Sequence, residues 1–431
     1  MSKKLGVITV LAMSLVVSAC GGGGGAKENT AGNSAGNASD GNSTDKVTIT
    51  YGGWGLNTME PVVKAFNDAH PNIEVKLENT PYKQYWTKLE TSATGGTLPD
   101  VFWMNGPHIV KYAANGMLAD LSENITADQL DMNNYPKALV DLYSLDGKNY
   151  GIPKDYDTIG LYYNKKLFDE KGIKYPDASW DWNTLTDAAK QLTDSSKGIY
   201  GFAAAQAGQE YYYNTILQAG GTIISDDKKT SGYDKPEAIE GVKFLTDMIH
   251  VHKVSPTLAQ LTETSAADLF KSGKLAMYYD GSWAAVDMMQ VDAIKDSVDV
   301  APLPKGKKQG VVLHGLGHVM SANSKHPKEA WEFIKFLGSK EAAEIAGKAG
   351  GAIPAFKGGE SSWLAFYPNM NVKVFIDQLE YASPYPVSKD TSVWTTYEDE
   401  ILKKVWTGEA KAEDAMKELG SKMNEALAAE Q

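Results

Sequence analysis

Val47-Thr48-Ile49-Thr50-Tyr51-Gly52-Gly53-Trp54-Gly55 is the stretch whose reading decides the fold. Val47 to Tyr51 alternate in polarity as a half-buried strand does, and the glycine-rich turn that follows lets a ligand approach the backbone closely. Downstream, Glu60 to Asp68 places Val62, Val63 and Phe66 on one helical side before His70-Pro71 stops it. Ile73-Glu74-Val75-Lys76-Leu77 alternates again, a helix is predicted around Gln84 to Ala93, and Gly95-Gly96 breaks it ahead of the apolar strand Pro99-Asp100-Val101-Phe102-Trp103-Met104. Strands separated by helices imply right-handed crossovers, a largely parallel sheet and ligands at the strand ends. The rhythm resumes after residue 160 and runs to about 345, too many units for one sheet, so two α/β lobes are expected.

Composition limits the partners. The 431 residues carry a net charge of −12, and all 42 basic residues are lysine. An acidic chain without a guanidinium is poorly equipped to track a nucleic-acid backbone or to clamp phosphate. Its 10 Trp and 22 Tyr outnumber its 11 Phe, a supply of rings with polar handles that suits ligands apolar on one face and hydroxylated at the edge. The single cysteine is Cys20. Lys3 and Lys4 precede the apolar run Leu5 to Val17, and Val17-Ser18-Ala19-Cys20 resembles a bacterial lipobox, so residues 1–19 are predicted to be a signal peptide and Cys20 a lipidation point. Residues 21–45 contain no Val, Ile, Leu, Met, Phe, Trp or Tyr, and 20–45 is predicted to be a lipidated flexible tether. The folded part is expected from Lys46 onward at the extracellular face of the membrane, held there by the lipid alone.

A set of later segments completes a recognisable order. Leu98-Pro99-Asp100-Val101 is followed by Tyr150-Gly151-Ile152-Pro153-Lys154-Asp155, by Gly160-Leu161-Tyr162-Tyr163-Asn164-Lys165-Lys166-Leu167-Phe168 and by Ala178-Ser179-Trp180-Asp181-Trp182. Leu217-Gln218-Ala219-Gly220-Gly221, Phe270-Lys271-Ser272-Gly273-Lys274-Leu275-Ala276-Met277 and Gly281-Ser282-Trp283 then follow. In that order, across nearly all of the chain after Lys46, the sequence resembles the extracellular solute-binding proteins of ABC transporters, in their maltose and multiple-sugar branch. The resemblance implies an α/β, two-lobed, periplasmic-binding-protein-like fold of type II with three crossings between lobes. By position these fall near Lys154–Ile159, Val300–Pro304 and Gly351–Ala355. The first lobe is then 46–156 with 303–352, and the second 157–302 with 353–431.

The same resemblance suggests which residues hold ligand. Trp283, after Asp280-Gly281-Ser282, matches a ring-stacking position, and Trp394 a second one. An indole plate with hydrogen bonds in its plane matches a pyranose, which shows C–H groups on its faces and hydroxyls around its rim. Asp155 and Asp157 on the first crossing can each accept hydroxyls. Gly53, Trp54, Tyr85 and Asn105 are expected from the first lobe, and Tyr211 and Gly281 from the second. His314-Gly315-Leu316-Gly317-His318 hints at a metal pair, but two imidazoles on a glycine loop are not a four-ligand site. His314 is taken as a cleft residue and Asp100 as a structural turn residue; no metal and no cofactor is expected.

A monomeric lipoprotein that binds a sugar, most simply an oligosaccharide, and delivers it to ABC permease subunits by lobe closure is the leading expectation. A polyamine or glycerol phosphate binder would use the same fold. A secreted glycan-active enzyme would need two carboxylates at a set separation, and no catalytic motif is visible.

Overall fold

The computed structural model describes residues 46–430; the signal-peptide and tether expectations, Cys20 included, lie outside them. Two sheets organise those residues. The first has five strands in the order Ile73–Asn79, Val47–Gly53, Val101–Asn105, Leu316–Met320, Gly151–Pro153. Its first three are parallel, with Val47 opposite Ile73 and Tyr51 opposite Val101, as the strand–helix alternation implies. Leu316–Met320 runs antiparallel to both neighbours. The helix Glu60–Ala69 buries Val62, Val63 and Phe66 in one core with Ile49 and Tyr51, which is why its apolar residues recur three and four apart.

The second sheet departs from the parallel expectation. Its three strands, Val298–Ala301, Ile159–Asn164 and Met277–Gly281, are antiparallel throughout. The geometry has a consequence for the site. Ile159 opposes Gly281, so one strand leaves the cleft at the end where the other arrives, and Trp283 is delivered beside Asp157. Helices Trp182–Leu192, Pro236–His250, Thr391–Trp406 and Ala412–Ala429 enclose this sheet, and Asp181 caps the first of them by accepting from the Thr184 N–H at 2.8 Å.

Three segments run side by side where the sheets meet. Asp155–Tyr156 pairs antiparallel with Ile353–Pro354, and Asp157 and His314 exchange backbone hydrogen bonds of 2.8 and 3.2 Å. The second of the expected crossings is displaced. Lys305 bonds to Trp180 and Trp182, Lys308 to Gln218, and the Val312 N–H to Asn214 Oδ1 at 2.9 Å, all on the side of the second sheet. The chain therefore passes to the five-stranded sheet only beyond Leu313, not at Val300–Pro304, because Val311–Leu313 is held by Asn214 and by the parallel strand Ala382–Pro384. Among the described residues no helix is long and apolar enough to cross a membrane.

Candidate functional site

Between the two sheets lies a cavity of about 220 Å³ lined by Trp54, Tyr82 and Asn105 from one side, Gln209, Glu210 and Trp283 from the other, and Asp155, Asp157, His314, Leu316 and Ala352 from the crossings. Six of the expected residues are thus brought together: Trp54, Asn105, Asp155, Asp157, Trp283 and His314.

Each is set by its surroundings. Trp54 leaves the glycine turn and is packed edge-on against Tyr82, Tyr85, Trp86 and Trp103, with ring centroids 5.0 to 6.0 Å away. Asn105 ends its strand with Oδ1 2.7 Å from His108 Nδ1. Burial holds His108 down at about 4, with Lys111 adding to it, so the ring is neutral and its Nδ1–H donates to Asn105. Asn105 so held is one of the residues lining the cavity. Asp155, buried, pairs with Lys154 and accepts the Leu316 N–H at 2.7 Å.

A hydrogen-bonded chain supports this side from behind. Lys154 Nζ lies 4.1 Å from the Trp103 ring centre, the Trp103 indole N–H donates to Tyr51 Oη at 2.5 Å, and the Tyr51 hydroxyl donates to His318 Nδ1 at 3.0 Å. Burial, with Lys154 adding to it, depresses His318 well below the ordinary imidazole range. His318 is therefore a neutral core acceptor. Among the described residues no three His, Cys, Asp or Glu converge as a metal site.

On the crossings, His314 Nε2 accepts the Gly106 N–H at 3.3 Å, which puts the ring proton on Nδ1, 3.8 Å from Asp157 Oδ2. Asp157 also accepts from Gln209 Nε2 at 2.9 Å; burial raises it above the usual carboxylate range, against the pull of His314 and Gln209. Burial raises Glu210 as well, with Asp157 adding repulsion, and drives Asp280 behind it to about 7. No lysine is among the lining residues.

Five expected positions fall elsewhere. Trp394 is fully buried and donates its indole N–H to Ser388 Oγ at 2.9 Å, so it is a core residue of the second region. Tyr211 packs under Tyr279 and Phe202. Tyr85 turns inward, its hydroxyl donating to the Trp103 carbonyl at 2.7 Å. Gly53 lies beneath Leu56 and Trp103, where a Cβ would come within 2.8 Å. Gly281 is a seat, since a Cβ there would meet the Trp283 ring at 2.0 Å. The indole can fold back over the backbone only because that side chain is missing.

The residues not anticipated are Tyr82, Gln209, Glu210, Leu316 and Ala352. Tyr82 was reachable from sequence: the helix begins at Tyr82, not Gln84, behind Pro81, and its first residue points to the cleft rim. Gln209 and Glu210 lie in the π-helix Gly208–Tyr212, whose wide turn is not legible in composition or periodicity.

A cavity walled by indoles from both sides and edged by amide, imidazole and carboxylate groups fits a small hydroxylated ring. The chain is also similar to known proteins. The model of the family described as bacterial extracellular solute-binding protein matches residues 52–344. The galactooligosaccharide-binding protein of Bacillus subtilis is 26% identical over 96% of this chain and 95% of its own. The multiple sugar-binding protein of Streptococcus mutans is 24% identical over 73% of this chain and 76% of its own. Among solved structures, an ABC substrate-binding protein of Listeria monocytogenes in complex with cycloalternan is 30% identical and superposes with a TM-score of 0.84, covering 89% of this chain and all of that one. With its family matched over more than half its length and its fold shared with that complex, the chain belongs to the bacterial extracellular solute-binding proteins.

Proposed function

We propose that this protein captures a saccharide in the cavity between its lobes and delivers it to the permease of an ABC importer. The observation that carries this is the pair Trp54 and Trp283, one from each lobe, lining a single cavity with Asn105, Asp157, Gln209, Glu210 and His314 around its edge. Both indoles can stack on sugar faces, while the edge groups satisfy hydroxyls. The relatives named above bind galactooligosaccharides, multiple sugars and cycloalternan, which supports an oligosaccharide.

The lobes are assigned as 46–156 with 314–352, and 157–313 with 353–431, hinged on the three paired segments at Asp155–Asp157, His314 and Ile353–Ala355. Cys20 is assigned as the lipid anchor, and the chain works as a monomer. No catalytic role is assigned to any residue. A second reading, a polyamine or other cationic solute, is favoured by one observation: Asp157 and Glu210 line the cavity and no lysine does.

The test is a thermal-shift and tryptophan-fluorescence screen of the chain from Lys46 onward against neutral oligosaccharides and spermidine. A neutral oligosaccharide should raise the melting temperature in a concentration-dependent way. Stabilisation by spermidine with none by any glycan would overturn the saccharide assignment.

A further inference from the structure

The second lobe holds a carboxylate that touches no part of the cavity. Glu398, 2% exposed on the helix Thr391–Trp406, accepts three phenols: Tyr213 at 2.8 Å and Tyr212 at 3.1 Å on Oε2, and Tyr233 on Oε1. Among the described residues, no lysine or histidine hydrogen-bonds to it. A carboxylate in such a place is tolerated only when its lone pairs are filled, and burial still pushes it up to about 8 against the pull of the three hydroxyls.

The tyrosines connect this cage to the cleft. Residues 208–212 form a π-helix that passes directly into the helix Tyr213–Gln218. Within it, Gln209 and Glu210 face the cavity, Tyr211 faces the sheet, and Tyr212 and Tyr213 both reach Glu398. In an α-helix of 3.6 residues per turn, neighbours diverge by about 100°, so two consecutive side chains do not share one acceptor easily. Here both reach one oxygen from the junction where the π-turn passes into the α-helix. Gly208 rests on the Tyr213 ring so closely that a Cβ would lie 2.7 Å from it. Asn214 closes the turn from the other side, donating to the Gln209 carbonyl at 2.7 Å and accepting the Val312 N–H, two residues before His314. The Tyr213 ring is thus the floor of the turn, and Glu398 fixes its tip.

We propose that Glu398 is a positioning residue for the ligand site: by holding the Tyr213 hydroxyl it fixes the ring beneath Gly208, and so keeps Gln209 and Glu210 facing the cavity. The inference rests on the saccharide assignment only for its binding readout. Tyr233 bonds the opposite carboxylate oxygen and lies outside the turn, so it separates general loss of the cage from loss of position.

The test compares Tyr213→Phe, Tyr233→Phe, Glu398→Leu and Glu398→Gln by two readouts. One is calorimetric binding of maltotriose, cellotriose and β-1,4-galactotriose; the other is amide hydrogen exchange over residues 206–214 in the ligand-free protein. Tyr213→Phe and Glu398→Leu should weaken whichever trisaccharide binds the parent by at least about tenfold and speed exchange over 206–214. Tyr233→Phe should stay within about twofold, and Glu398→Gln, which keeps an oxygen for Tyr213, within about threefold. If Glu398→Leu does not fold, Tyr213→Phe, which retains the ring, decides. Equal losses in the two phenylalanine variants, or unchanged exchange over 206–214 in Tyr213→Phe, would overturn the proposal. If none of the three sugars binds the parent, the saccharide assignment loses its support while the exchange result still decides the role of Glu398.

Discussion

The two lobes bury ionisable groups in opposite ways. Behind the first-lobe wall the strongly shifted groups other than tyrosines are bases kept neutral: His318 well below its ordinary value and His108 at about 4, both chiefly by burial. Behind the second-lobe wall they are acids pushed up, Asp280 to about 7 and Glu398 to about 8, again chiefly by burial. The first lobe also gives its cleft carboxylate Asp155 a lysine, whereas Glu210 across the cavity pairs with none among the described residues. One wall is therefore a charge-balanced aromatic platform. The other carries acids raised by burial whose geometry depends on hydroxyl and amide donors, so it should be the more sensitive to substitution and to pH.

The largest effect should come from the aromatic pair. Trp283→Ala should reduce affinity for the ligand found by screening at least about 100-fold by calorimetry. Trp54→Ala should cost less, about tenfold, because Tyr82, Trp86 and Trp103 remain to keep that wall apolar. Equal losses would erase the distinction between the walls. Next is Gly281→Ala. Its new Cβ has to displace the Trp283 ring, so affinity should fall about tenfold or more with a melting temperature shifted by only a few degrees. Unchanged affinity would show that the indole has another way to sit.

The pH dependence divides the lobes by sign. Glu398 binds a proton more tightly folded than unfolded, so its contribution is full below its unfolded value near 4.5 and is lost as pH rises toward 8, at up to about 1.4 kcal/mol per pH unit. His318 and His108 bind a proton less tightly when folded. Their contribution is present above about 6.5 and is lost as pH falls through their folded values. Hydrogen exchange between pH 5 and 8 should therefore show second-lobe amides losing protection with rising pH while first-lobe amides do not, and Glu398→Gln should flatten the second-lobe slope. Parallel slopes in both lobes would refute the contrast. The smallest effect belongs to the rim: Tyr82, 56% exposed, should cost about two- to fivefold in affinity as Tyr82→Ala.

Much of the first lobe was legible because its elements obey local rules. The alternation of Val47 to Tyr51 and the apolar face of Val62, Val63 and Phe66 are set by periods of two and 3.6, and both appear where the pattern puts them. Trp283, Asp155 and Asp157 were accessible through motif order. Tyr211 and Trp394 were not, for one reason: an aromatic residue near a cleft reads the same in sequence whether it faces ligand or core. Tyr211, Tyr212 and Tyr213 are consecutive and all three are buried, while Gln209 and Glu210 just before them line the cavity, an arrangement set by the π-turn Gly208–Tyr212 and not by a helical period. The displaced second crossing has a similar origin. Pro302 and Pro304 stiffen the chain, yet long-range bonds from Asn214 and Gln218 keep it on the second lobe for ten more residues.

By itself the sequence determined the strand–helix order, the lysine-only acidic surface and the pair of tryptophan-bearing glycine turns, because each follows from side-chain type and spacing along the chain. Tertiary structure alone decided which aromatic rings line the cavity, which way the second sheet runs and which acids burial pushes up. Those depend on burial and on partners more than a hundred residues away, such as Glu398 for Tyr213 and His314 for Asp157, and no local pattern encodes a neighbour brought in by folding.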